Sequence, residues 1–162
     1  MRGYKQLSLL AAIIVCGGAL ASSKDEQSIH HVYAKLVTAM KDKSVSEVAA
    51  LEAPGFTDTE NGKTMKADEA NNMMKQEFAL VKFSIFDIKV TSVKVSGATA
   101  TATTSFRFTG KVVVGSKPHT LEATGTTSDT LVKTSKGWLF QTTKDTGQKV
   151  KMDGKTVQAG AM

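Results

Sequence analysis

FTDTENGKTMKADE, residues 56–69, reads as a strand, a tight turn and a helix start in direct succession. Phe56 to Glu60 alternates in the manner of a strand. Asn61-Gly62 follows, the strongest short hairpin signal, because both residues accept the positive φ that a type I′ turn needs. Asp68 and Glu69 then sit where the partial positive charge of a helix N-terminus favours acids. Ala70, Met73, Met74, Phe78 and Val81 recur at helical spacing and supply that helix with a buried face. The two methionines suit it as adaptable filler.

Working toward the N-terminus, Ser23-Lys24-Asp25-Glu26 has the form of a capping box. Ile29, Val32, Tyr33, Leu36, Val37 and Met40 lay one apolar stripe along the helix it opens, with His30, His31, Lys35, Thr38 and Lys41 mostly off it. Ser44 and Glu47 offer a second capping box for a short helix burying Val45, Val48 and Leu51, which Pro54-Gly55 ends. Toward the C-terminus the texture turns to strands. Phe83 to Val95 is rich in β-branched residues, and its apolar phase slips between Val90 and Val93, the mark of a bulge. Ala98 to Thr109 is a half-buried strand, Gly115 to Pro118 a loop, Thr120 to Lys133 another strand, and Trp138 to Thr143 the last core strand. Asp153-Gly154 marks a small hairpin turn in the tail. Helices gathered at one end and strands at the other argue for α+β architecture.

The order of elements, FTDTENGKTMKADE after the first helices and DTLVKTSKGWLF from Asp129 to Phe140 together resemble the nuclear transport factor 2-like superfamily over about residues 25–145. That superfamily includes ketosteroid isomerases and SnoaL-like polyketide cyclases. The resemblance implies a curved antiparallel sheet wrapped around the N-terminal helices as a cone, with a pocket at its open end. Both stretches are structural signatures rather than catalytic motifs, so fold is implied more firmly than activity. In isomerase-like members a carboxylate takes a proton next to a carbonyl while a tyrosine and a protonated acid steady the oxyanion. Glu60 lands close to where such enzymes place the base, and Asp58 shares its strand face. The position matching their tyrosine is Leu36, with Tyr33 one turn earlier, and no clear acid stands on the strand facing it, since Ala98 to Phe108 offers only Ala, Thr and Phe on its apolar side. Asp58 and Glu60 therefore read either as a base with Tyr33 as donor, or as solvated hairpin residues beside a core tyrosine. Trp138, Phe106 and Met74 are the candidate ligand-binding residues, Trp138 either packing on the sheet or stacking a ligand at the rim.

Other chemistry is poorly supplied. His30 and His31 are adjacent on a helix, roughly 100° apart, and do not share one ion, while His119 follows Pro118 in a loop. Gly62-Lys63-Thr64 lacks the earlier glycine of a phosphate loop, having Thr57 there, and Gly154-Lys155-Thr156 fails likewise at Lys149. No metal or cofactor is expected. The formal charge of +6 is spread along the chain without a dense patch of cations and stacking aromatics, which argues against a nucleic-acid partner.

The first residues read as an export signal. Arg2 and Lys5 precede an apolar run from Leu7 to Val15, and Ala19-Leu20-Ala21 supplies a cleavage site after Ala21. The run is short for a membrane span. Cys16 follows Val15 rather than a small residue, which disfavours lipidation, and cleavage after Ala21 removes this sole cysteine. Residues 1–21 are thus a leader, 22–145 the domain, and 146–162 a tail that is either a small hairpin or disordered. A periplasmic or extracellular location follows, with no stable membrane insertion after cleavage. The reading these residues favour is an exported domain that holds a small apolar ligand or another subunit. A homodimer joined through sheet faces such as the row Thr99, Thr101 and Thr103 is expected. The alternative is an isomerase- or cyclase-like enzyme with Glu60 or Asp58 as base.

Overall fold

The computed structural model describes residues 17–157 except 115, with side chains from residue 24 onward. The leader's charged start, its apolar run and Cys16 lie outside the described residues. The elements are α1 (Gly17–Lys41), α2 (Val45–Ala49), β1 (Glu52–Glu60), β2 (Lys63–Lys66), α3 (Ala67–Leu80), β3 (Val81–Ser96), β4 (Thr99–Val114), β5 (Lys117–Thr134), β6 (Gly137–Asp145), β7 (Lys149–Met152) and β8 (Lys155–Val157). One sheet runs β2-β1-β6-β5-β4-β3, with β7 pairing β5 and β8 pairing β7.

The α+β class is as expected, with one correction to the sheet. It is mixed rather than wholly antiparallel, because β1 lies parallel to β6. Asn61 and Gly62 both take positive φ, 51° and 80°, and close the β1–β2 hairpin. Strand β1 starts earlier than the sequence suggests. Pro54-Gly55 sits inside it, where pairing with β6 skips between Glu52 and Thr57, instead of terminating α2. A proline cannot donate to a ladder, and the irregularity spares it from having to. The expected bulge in β3 falls between Val90 and Ser92, and a second lies between Phe83 and Ile85. The expected loop at Gly115 to Pro118 is shorter than read, since β4 continues to Val114 and Pro118 already pairs with Val113.

Helix α1 also differs from expectation. It already runs from Gly17, so Ser23–Glu26 lies within it rather than capping it. Asp25 instead accepts from Lys133 Nζ at 2.7 Å and from Trp138 Nε1 at 3.2 Å, tying the helix to the strands it crosses. The stripe buries Ile29, Val32 and Tyr33 against Phe56, Ala100, Ala102, Leu131, Trp138 and Phe140. Val81, Val112, Leu121, Ala123 and Val150 form a second cluster. Helix α3 runs directly into β3, with Val81 as the first strand residue.

Candidate functional site

Between α1, α3 and the concave sheet lies a cavity of about 260 Å³. Alternation decides which strand residues reach it. On β5 the inward positions include Leu121, Ala123, Thr127, Asp129 and Leu131, so a carboxylate follows the phase of the apolar core. Phe86 and Ile88 of β3 pair with Phe108 and Phe106 of β4, making an aromatic wall. Gly125 lets that wall close, since a Cβ there would stand 2.5 Å from the Phe106 ring. Met74 of α3 and Leu36 of α1 complete the apolar lining.

Asp129 is the deepest polar group, 2% exposed. Tyr33 donates its hydroxyl to Asp129 Oδ2 at 2.5 Å, and Thr127 donates to the same oxygen at 2.9 Å. Thr104, 2.8 Å from Thr127, extends the chain of hydroxyls. The other carboxyl oxygen, Oδ1, is buried without a hydrogen-bond partner in the protein. Burial raises the Asp129 pKa, while Tyr33, Thr127 and its cross-strand neighbour Thr143 pull it back. Burial also raises that of Tyr33, and the Asp129 charge adds to it. Tyr33 therefore stays a neutral donor.

Asp58 stands in the same row. Thr143 of β6 is the Cα partner of both Asp58 on β1 and Asp129 on β5. The two acids are thus two strand spacings apart, roughly 10 Å between Cα atoms, on one face of the sheet. Asp58 is half-buried, and its pKa is pushed up to about 6 by burial, then by the charges of Glu60 and Asp129. Glu60 is raised by burial and by Asp145, with Gln148 holding it back. Glu52, also on the lining, is raised by burial and accepts from Asn71 at 3.0 Å. Glu77 of α3 keeps an exposed side chain but is crowded by the protein and by Glu60 and Asp58, which push it up to about 7.

Of the residues expected from sequence, Tyr33, Asp58, Glu60, Phe106 and Met74 all line this cavity. Trp138 does not. It is buried in the core beneath α1, its indole directed to Asp25. The expectation that no acid faces Tyr33 is corrected by Asp129, which lies on β5 rather than on the strand considered. Its position in the inward phase, two residues before Leu131, was the available signal. Among the described residues no group of three or more His, Cys, Asp or Glu side chains is arranged to hold a metal ion. His30 and His31 are exposed, and His119 pairs with Asp153 at 2.7 Å, away from the cavity.

A buried acid with an unpartnered oxygen, a half-buried carboxyl of raised pKa and an apolar chamber between them can bind a polar atom and move a proton beside it. Similar architecture occurs in solved structures. A candidate scytalone dehydratase from Novosphingobium aromaticivorans is 14% identical, with 87% of this chain and 94% of that one covered and a TM-score of 0.69. A nuclear transport factor 2-like protein from Salmonella enterica is 17% identical over 78% and 92% of the two chains, with a TM-score of 0.66. A candidate dehydratase of the same superfamily from Streptomyces avermitilis is 13% identical over 85% and 99%, with a TM-score of 0.64. At these identities the likeness is one of fold. No curated protein matches the chain by sequence. The SnoaL-like domain model matches residues 21–144, and the chain belongs to that family within the nuclear transport factor 2-like superfamily.

Proposed function

We propose that this protein is a proton-transfer enzyme acting on a small, largely apolar carbonyl compound bound in the cone cavity. The observation that supports this reading is the row Asp58–Thr143–Asp129, which sets a base of raised pKa and a buried acid with an unpartnered oxygen on one inward face. Asp58 as carboxylate accepts a proton from the carbon beside the carbonyl. The C–H electron pair becomes the new carbon–carbon double bond, and the charge passing to the carbonyl oxygen is met by the O–H of Asp129. Return of the proton to another carbon completes an isomerisation. Its transfer to a β-hydroxyl, which leaves as water, completes a dehydration. Tyr33 and Thr127 fix the Asp129 carboxyl and are positioning residues. Burial, and then the charge of Glu60, keep Asp58 basic enough to work near neutrality.

The test needs no knowledge of the natural substrate. Exchange of the α-protons of 2-tetralone in deuterium oxide, followed by proton NMR, reads the first step directly. Wild-type protein should accelerate exchange, with a rate that rises with pH until Asp58 is ionised, levelling above about pH 6. Asp58→Asn should slow it by about 10²- to 10⁴-fold, and Asp129→Ala by about 10²-fold. Exchange at the buffer rate, or exchange indifferent to Asp58→Asn, would sink the reading. We further propose that the protein works outside the cytoplasm, on the strength of its leader. N-terminal analysis of the secreted chain should find it starting at Ser22, and retention of Met1 in the cell would refute export.

A further inference from the structure

We infer that the ligand of this cavity carries a protonated amine on its apolar body, a specification that rests on the cavity reading above. Glu52, Asp58, Glu60, Asp129 and Asp145 all line the chamber, and among the described lining residues no Lys, Arg or His does. The chain as a whole has a formal charge of +6, so an acidic interior is a local feature and not a reflection of composition.

Among the described residues, two polar atoms inside lack hydrogen-bond partners. Asp129 Oδ1 is one, on a side chain 2% exposed, and it is the atom assigned above to the carbonyl oxygen. Gln148 Oε1 is the other, an acceptor buried and unpaired next to Glu60. Among the described residues, Asp145 receives only the Gly147 amide, at 2.9 Å on its Oδ1. Glu60, Asp145 and Gln148 together form a triad of acceptors at the end of β1, β6 and the segment after β6. An ammonium offers three N–H donors and one positive charge, which match that triad in number and sign. The aromatic wall of Phe86, Phe106 and Phe108 is compatible with the same guest, since ring faces attract cations. A carboxylate-bearing ligand would instead meet repulsion strengthened by the low dielectric of the chamber.

Three probes of matched shape test this by titration calorimetry on the full domain: 2-naphthylmethylammonium, 2-naphthylmethanol and 2-naphthoate. The ammonium should bind at least roughly tenfold more tightly than the alcohol, and the naphthoate more weakly than either. In the double variant Glu60→Gln/Asp145→Asn the preference should fall to within about twofold, with affinity for the alcohol retained. Should that variant fold poorly, salt gives a second measurement on wild type. Raising salt should weaken the ammonium and leave the alcohol unchanged. Equal binding of ammonium and alcohol, tighter binding of naphthoate, or a preference that survives both salt and the double substitution overturns the inference alone. Failure of all three probes to bind overturns it together with the cavity reading.

Discussion

Asp58 is held in its site against the interest of the fold. Folded, it keeps its proton to about pH 6, whereas its ordinary value is 3.8. Between those limits the native state binds more protons than the unfolded chain, so stability falls as pH rises through the window and remains lower above it. Roughly two units correspond to at most about 3 kcal/mol. Glu52, Glu60 and Asp129 are raised as well and act in the same direction. Asp25, lowered by its hydrogen bond from Lys133, and Asp153, lowered by the Thr120 amide, act in the opposite direction at the surface. Asp58→Asn should therefore raise unfolding free energy by about 1–2 kcal/mol at pH 7.5 and change it little at pH 4, as measured in urea. Equal effects at both pH values would mean that Asp58 is not desolvated in the native protein. The residues of this site were unevenly legible. Alternation along β1 placed Asp58 and Glu60 on one face correctly. Asp129 also obeyed alternation, but its role depends on Tyr33, remote in sequence, and no local pattern announces that pairing.

Elements are joined here by single side chains that reach across gaps. Lys43, in the turn after α1 with φ 54°, donates from Nζ to the carbonyls of Phe78 at 2.7 Å and Val81 at 2.5 Å. Those are carbonyls at the end of α3 and the start of β3, where the helix passes into the strand without a loop. The ammonium satisfies acceptors that the helix itself leaves open and complements the negative end of its dipole. It also lies 5.9 Å from the Phe83 ring centroid. Lys43→Met keeps most of the stem's packing and removes the donors, and should reduce stability by about 1–2 kcal/mol. Amide exchange in the last turn of α3 should quicken more than exchange in α1. Uniform quickening would point to a global effect instead. Sequence periodicity located α3 well, yet it could not show this cap, because Lys43 lies between two helices and looks like part of a break. Nor could it show that β1 runs parallel to β6, since strand direction follows from how the chain returns across the sheet and not from residues within either strand.

Across the whole molecule, β5 organises the sheet by serving two neighbours on the same side. Thr127 to Thr134 pairs with β6, and Leu121 to Thr124 pairs with β7 of the tail hairpin. The tail thus continues the sheet where β6 ends. Val150, buried at 7% exposure, faces Ala123, and Met152 faces Leu121. Asp153 accepts the Thr120 amide at 2.8 Å and contacts His119 at 2.7 Å, locking the hairpin to the start of β5. Gln148, at the base of the hairpin, belongs to the cavity lining, so the tail connects the second apolar cluster to the site. A chain ending at Thr146 would expose Leu121, Ala123 and Val112 and leave that part of β5 with unpaired backbone groups, a template for aggregation. Loss of the buried Val150 side chain alone removes about 1.5–3 kcal/mol, and the ladder and the Asp153 contacts add to it. We expect the truncated chain to unfold roughly 10 °C lower by scanning calorimetry, in keeping with a loss of about 3 kcal/mol for a domain of this size. It should also bind more of an apolar dye than the intact chain does. An unchanged melting temperature would show that the hairpin does not hold β5 in solution. In that event the Gln148 contact with the cavity, and the acceptor triad built on it, would lose its structural support.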